Sequence, residues 1–259
     1  MPQNDIHKNN LTAKTRYMKS KNGIILVCCI LLFAGVTNAQ TLAPKVMFKD
    51  TPQTHNMHIT SDGQYLYTCN GGKPELGQIS KFSLNGTKIA SYKIELDMRS
   101  VIYNGLDKKL YVNGYDKNLY RIEDLMLGVF SKVLEFTETN EQSSPAISTN
   151  GKLIYFLDNG NVSVYTMKNG KLKTTFSGIM CSEESSGGGA AIAVDDKRMY
   201  SWDGAEQEVY VYDLKGKYQK TLELEQGDYG FSLSFANGML WVSTDGNYEE
   251  GTWYGYAVE

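Results

Sequence analysis

From residue 40 onward, turn residues alternate with short runs in which apolar and polar positions alternate. In SDGQYLYTCN (61–70), an Asp-Gly turn precedes a run in which Tyr65, Tyr67 and Cys69 point one way and Leu66 and Thr68 the other. That period of two is the mark of a strand. The pattern returns in DKKLY (107–111), NGKLIY (150–155), DDKRMY (195–200) and NGMLW (237–241). Its aromatic anchors Tyr67, Tyr111, Tyr155, Tyr200 and Trp241 are spaced by 44, 44, 45 and 41 residues. A second ladder, Phe82, Tyr120, Tyr165, Tyr212 and Tyr256, is spaced by 38, 45, 47 and 44.

Two independent ladders with one period near 44 predict a repeat of four short strands, the blade of a β-propeller. In the first repeat these are HNMHIT (55–60), QYLYTCN (64–70), QISKFSL (78–84) and KIASYKIEL (88–96). The expected fold is all-β: a single propeller of five four-stranded blades over residues 40–259, with no second domain. The last repeat offers only three strands (232–236, 239–245 and 252–258) before the chain reaches Glu259. KVMFKD (45–50), ahead of the first blade, is the expected fourth, which would close the ring and protect an open sheet edge.

Residues 1–39 read differently. Lys19 and Lys21 precede the apolar run 24–35, and small residues follow up to Ala39. This is the layout of a secretory signal cut after Ala39, with Met18 as the alternative start. The twelve-residue run is shorter than the roughly twenty needed to cross a bilayer. The expected address is secreted, periplasmic or cell-surface, with no membrane association after cleavage. Without residues 1–39 the chain holds 21 basic and 28 acidic residues, a net of −7. An acidic chain without a basic cluster argues against nucleic acid as partner. A monomer is expected. Cys69 and Cys181 remain after cleavage. They form either a disulfide or two separate buried thiols, the thiols being preferred.

SDGQYLYTCN resembles the repeat core of YVTN/NHL-type propellers, in which a turn, an aromatic strand and a terminal Asn recur in each blade. The later blades depart from that core (YVNG, YFLDNG, YSWDG, WVSTDG). The resemblance implies the fold and leaves the chemistry open, because propellers host binders and enzymes alike.

The expected ligand face is formed by the segments between blades and the loops between second and third strands. It carries the candidates His55, Asn56, Asn70, Arg99, Asp158, Glu183, Glu184, Asp203, Asp228, Tyr229, Asp245 and Tyr248. Asn70, Asp116, Asp158, Asp203 and Asp245 supply one polar turn former per blade. They are either a ring of carboxylates able to hold calcium or sugar hydroxyls, or five Asx turns. Three long polar loops, 71–77, 180–190 and 245–253, should emerge on this face. GGGAAI (187–192) lacks the Gly-Lys-Ser/Thr of a phosphate loop and reads as flexible backbone. No motif for a catalytic nucleophile or a helical zinc site is present, and His55-x-x-His58 on a strand points to opposite faces.

These observations favour a non-catalytic, exported binding module that takes a small molecule, glycan or protein partner on one loop-rich face. The alternative is a metal-dependent hydrolase or lyase resembling the gluconolactonase-like propellers, with a divalent cation in the channel. Met57 and Phe231 plugging that channel would count against it.

Overall fold

The computed structural model describes residues 40–181 and 189–259; the expected signal segment 1–39 lies outside them. Two strands precede the first blade, β1 (Gln40–Leu42) and β2 (Val46–Asp50). Blade one is β3 (His55–Ser61), β4 (Tyr65–Gly71), β5 (Gln78–Ser83) and β6 (Lys88–Lys93). Blade two is β7 (Met98–Asn104), β8 (Lys109–Gly114), β9 (Asn118–Asp124) and β10 (Val129–Glu135). Blade three is β11 (Ala146–Ile147), β12 (Leu153–Asp158), β13 (Asn161–Thr166) and β14 (Leu172–Ser177), followed by the short β15 (Gly189–Ala190). Blade four is β16 (Ile192–Val194), β17 (Arg198–Asp203), β18 (Glu208–Asp213) and β19 (Tyr218–Leu224). Blade five is β20 (Ser234–Ala236), β21 (Met239–Ser243) and β22 (Gly251–Ala257), completed by β2.

The closure expected from KVMFKD is present. β2 pairs antiparallel with β22, Phe48 opposite Trp253. Phe48 is buried between Phe82 of blade one and Trp241 of blade five, at ring distances of 4.6 and 5.7 Å. One segment thus joins the first part of the chain to the last.

The sequence ladders now have a chemical cause. In three blades the turn aspartate accepts backbone N–H groups and then the anchor tyrosine's hydroxyl. Asp62 takes Gln64 N (2.8 Å), Tyr65 N (2.7 Å) and Tyr67 Oη (2.8 Å). Asp195 takes Lys197 N (2.7 Å), Arg198 N (2.6 Å) and Tyr200 Oη (2.6 Å). Asp107 takes Lys109 N and Tyr111 Oη in the same way. Burial alone would raise the Asp195 carboxyl; these bonds and the Arg198 guanidinium hold it below the usual carboxylate range instead. In the second ladder, Tyr212 Oη accepts Met180 N at 2.8 Å, and Tyr256 Oη donates to Gln226 O at 2.8 Å. Each of these two tyrosines ties its blade to the connection arriving from the one before.

The apolar core forms five wedges, each between neighbouring blades. Ile102, Tyr111 and Leu119 of blade two, for example, meet Ile154, Phe156 and Tyr165 of blade three. The second strands, buried from both sides, are therefore nearly continuous apolar runs such as LIYFLD of β12. The outer strands alternate, as KIASYK of β6 does. The innermost strands belong to different sheets, so hydroxyls and one imidazole join them across the blades. Ser144 Oγ donates to Arg99 O (2.6 Å), Tyr103 N to Thr60 Oγ1 (3.0 Å), Ile59 N to Ser234 Oγ (3.2 Å) and His58 Nδ1–H to Val101 O (2.9 Å).

Two features depart from the expected regularity. β1 adds a fifth, parallel strand outside β19 of blade four. The inner position of blade three is shared: β11 pairs one end of β12 and β15 the other. A Cβ on Gly189 would lie 2.6 Å from Ser143 N. The last glycine of the Gly triplet therefore serves a close approach of two backbones, where the sequence suggested flexible backbone.

Candidate functional site

The segments between blades and the loops between second and third strands converge at one end of the channel, and the ring brings distant residues together there. His55, at the start of β3, lies beside Asp245, in the β21–β22 loop. Its Nδ1 is 2.9 Å from both carboxylate oxygens. A carboxylate only accepts, so Nδ1–H is the donor of this bond. Asp245 also accepts Asn247 N at 3.0 Å, which fixes the loop that carries it.

Two tyrosines frame this pair. Tyr229, in the connection entering blade five, stacks on the His55 ring at 6.0 Å and 17°. Tyr248 meets His55 edge-on at 5.8 Å. Its backbone adopts φ +72° and its N–H donates to Thr54 O at 3.0 Å, so the loop tip is pinned beside the first strand of blade one. Lys73, from loop 71–77, lies 5.0 Å from the Tyr248 ring. Gly72 keeps the space in front of the imidazole open: a Cβ there would stand 3.1 Å from His55 Cδ2.

Arg99 forms the opposite side. It is buried and makes an ion pair with Asp97 at 3.1 Å. It also donates from Nε to Glu141 O (3.3 Å) and lies 4.7 Å from the Tyr115 ring. Asp97 in turn accepts Gly72 N at 2.7 Å, so blade two holds the loop of blade one. Beneath these groups sits Met57, 1% exposed, with its Sδ 3.5 Å from Tyr229 Oη and 4.0 Å from Arg99 Nη1. Phe231 packs against Tyr229. Burial, and then the Asp245 carboxylate, pushes the Tyr229 hydroxyl well above the ordinary phenol range. It remains a donor at any working pH.

The other candidates are spread between structure and surface. Asn70 is buried, and its amide donates to Pro52 O (2.6 Å), Thr54 Oγ1 (2.7 Å) and Leu76 O (3.0 Å) while accepting Gln78 N (2.6 Å). It secures loop 71–77 from a buried position and serves the structure. Asn70→Ala is expected to cost about 2–3 kcal/mol in urea unfolding, because buried carbonyls lose their donor. Asn56 is likewise buried and donates to Thr244 O at 3.3 Å. Asp116, Asp203 and Asp245 each accept the N–H two residues on, at 3.1, 3.1 and 3.0 Å. Asp158 accepts the side chains of Asn140 and Asn159. Three members of the expected carboxylate series, Asp116, Asp203 and Asp245, are thus turn formers, and of these only Asp245 is seen to reach another blade. Asp228 is exposed in the connection beside Tyr229. Glu183 and Glu184 lie outside the described residues, as does most of loop 180–190.

Cys69 and Cys181 are free thiols in different wedges, between blades one and two and between blades three and four. Burial raises both thiol pKa values, so neither is a poised nucleophile. Among the described residues, no group of three or more His, Cys, Asp or Glu is placed to hold a metal ion. Asp97, Lys73 and Tyr115 were not among the site candidates drawn from the sequence. Asp97 stands two residues before Arg99 on the same inter-blade segment, where alternation puts both on one side; that was the available signal.

No protein-family model and no curated protein matches the chain. Among solved structures it is similar to the Myxococcus xanthus glutaminyl cyclase, with a TM-score of 0.59 and 8% identity. The match covers 85% of this chain and 100% of that one. At that identity the likeness is one of fold.

Proposed function

We propose that this chain is an exported binding propeller, of the YVTN/NHL type in its blade core, whose channel mouth takes a small neutral ligand with one apolar face. A sugar unit of a glycan fits that description. The observation that carries this is the His55–Tyr229 stack edged by Tyr248. It offers a rigid aromatic platform bordered by the polar groups of Asp245, Asp97 and Arg99. Aromatic faces supply contact area, and a few fixed polar groups set orientation. Asp97 is balanced by Arg99, and Asp245 is engaged by His55, which disfavours a strongly charged ligand. Export rests on the basic-apolar-small pattern of residues 1–39.

The test is calorimetric titration with a panel of mono- and disaccharides. One of them is expected to bind, and Tyr229→Ala to weaken it about 10- to 30-fold, the loss typical of an aromatic anchor. Equal binding by the variant, or no binding across the panel, would refute the assignment.

One observation favours a second reading. An imidazole whose Nδ1–H is held by a carboxylate presents Nε2 as a general base. The glutaminyl cyclase neighbour is an enzyme, although it lends this chain no residue. Following the same titrations by NMR for chemical change in the ligand separates binding from turnover.

A further inference from the structure

A cavity of about 640 Å³ lies at the strand ends opposite the mouth, between blades two and three. It is bounded by the β7–β8, β11–β12 and β13–β14 turns, and its chemistry differs from that of the mouth. Leu106, Tyr111, Leu153 and Met167 contribute apolar surface. Leu106 is 65% exposed, large for a leucine in a turn. Around that surface stand Lys152, Lys168 and Lys173. All three are exposed, and among the described residues none is in an ion pair.

The one lining carboxylate offsets only part of their charge. Asp107 accepts Tyr111 Oη and Lys109 N, which hold it in its own turn, and the lining keeps an excess of two positive charges, three lysines against one aspartate. That excess around one groove stands out on a chain whose net charge without residues 1–39 is −7.

The wall of the cavity is preformed. Asn104, buried, donates to Gly151 O at 3.2 Å and accepts Leu106 N at 2.9 Å, which joins the turns of the two blades. Gly151 has φ +71°, and a Cβ there would stand 2.0 Å from Asn104 Oδ1, so only glycine allows that junction. Met167 N donates to Lys152 O at 2.9 Å and holds the third turn against the second.

We infer that this groove binds an anionic amphiphile of small-molecule size, with one carboxylate on an apolar body. The volume is that of a pocket for one such ligand. The apolar lining takes the body, while lysines, as mobile point charges on long stems, close on the head group. A polyanion such as nucleic acid would need a longer basic track and gains nothing from an apolar floor. The inference is independent of the mouth and of its ligand.

Decanoate below its micellar concentration is the probe, titrated into the protein by calorimetry, with decanol and decyltrimethylammonium as neutral and cationic counterparts. Decanoate is expected to bind at one site and decanol about tenfold more weakly, while the ammonium does not bind. The triple variant Lys152→Glu, Lys168→Glu, Lys173→Glu changes only exposed side chains. It is expected to weaken decanoate about tenfold or more with an unchanged unfolding midpoint. Leu106→Asp should weaken it as well. Tyr229→Ala at the mouth should leave it unaltered. Absence of saturable decanoate binding, decanoate binding that survives charge reversal, or decanoate binding lost through Tyr229→Ala would each overturn the assignment. So would saturable binding of an acidic peptide in place of decanoate, which would give the groove to a protein partner.

Discussion

Phe48→Ala is expected to lower the unfolding midpoint by about 6–20 °C, because it empties the seam of the ring. Phe48 is 6% exposed and packs on Phe82 and Trp241, which belong to blades at opposite ends of the chain. Truncating a buried phenylalanine costs about 3–5 kcal/mol, and in a domain of this size each kcal/mol moves the midpoint by about 2–4 °C. Its neighbour Met47, on the same strand and 58% exposed, is the control. Met47→Ala should stay within about 0.5 kcal/mol. Thermal unfolding of both variants makes the comparison. Equal effects would mean that the strand from the first part of the chain does not close the ring.

The second large effect is a loss of about 3 kcal/mol as the pH falls from 6.5 to 4, carried by one residue. His58 is 4% exposed; its Nδ1–H donates to Val101 O, and its Nε2 has no partner among the described residues. Cys69 lies opposite it on β4. Burial lowers the His58 pKa from 6.5 to about 4. Between those values the unfolded chain binds a proton that the folded chain refuses. Stability therefore falls as pH drops below 6.5, and the loss is complete below about 4. The gap between 6.5 and about 4, at about 1.4 kcal/mol for each tenfold change in proton affinity, gives the magnitude. Asp195 adds to the loss at lower pH: its depressed carboxyl stabilises the fold above the unfolded value, and that contribution disappears as pH falls through the folded one. Urea unfolding at pH 7, 5.5 and 4 should show the slope in the native protein and a markedly flatter one in His58→Gln. Equal slopes would place the acid sensitivity elsewhere.

The architecture could be read from the chain because three of the five blades repeat one local chemical unit and the other two keep its turn and aromatic strand. An aspartate that caps a turn and takes a tyrosine hydroxyl four or five residues later is contained within one hairpin. Ring closure could be inferred by counting strands. β1 escaped notice because three residues, Gln-Thr-Leu, carry no usable period. The division of the inner position of blade three between β11 and β15 escaped notice as well, since two-residue strands leave no alternation to read.

The site was legible only in part. His55 and Asp245 are 190 residues apart, and only the closed ring makes them neighbours. Both were candidates on position alone, and nothing in the sequence paired them. Asn70 and the turn aspartates looked alike in sequence. What separates them is the use of their oxygens. Asn70 uses its amide to tie loop 71–77 to the segment before β3, while Asp245 holds its turn and also orients an imidazole in the next blade.

The chain carries three histidines, and only His55 and His58 follow residue 39, so two imidazoles report on the propeller. One stands at the mouth and one is sealed in the wall of the channel. Protein labelled with 15N-histidine, observed during titration with the sugar that binds, tests the central claim most directly. The His55 ring nitrogens should shift in a saturable way with the ligand while those of His58 stay fixed. A ligand that binds by calorimetry and leaves the His55 nitrogens unmoved would contradict the assignment of the mouth as the functional site.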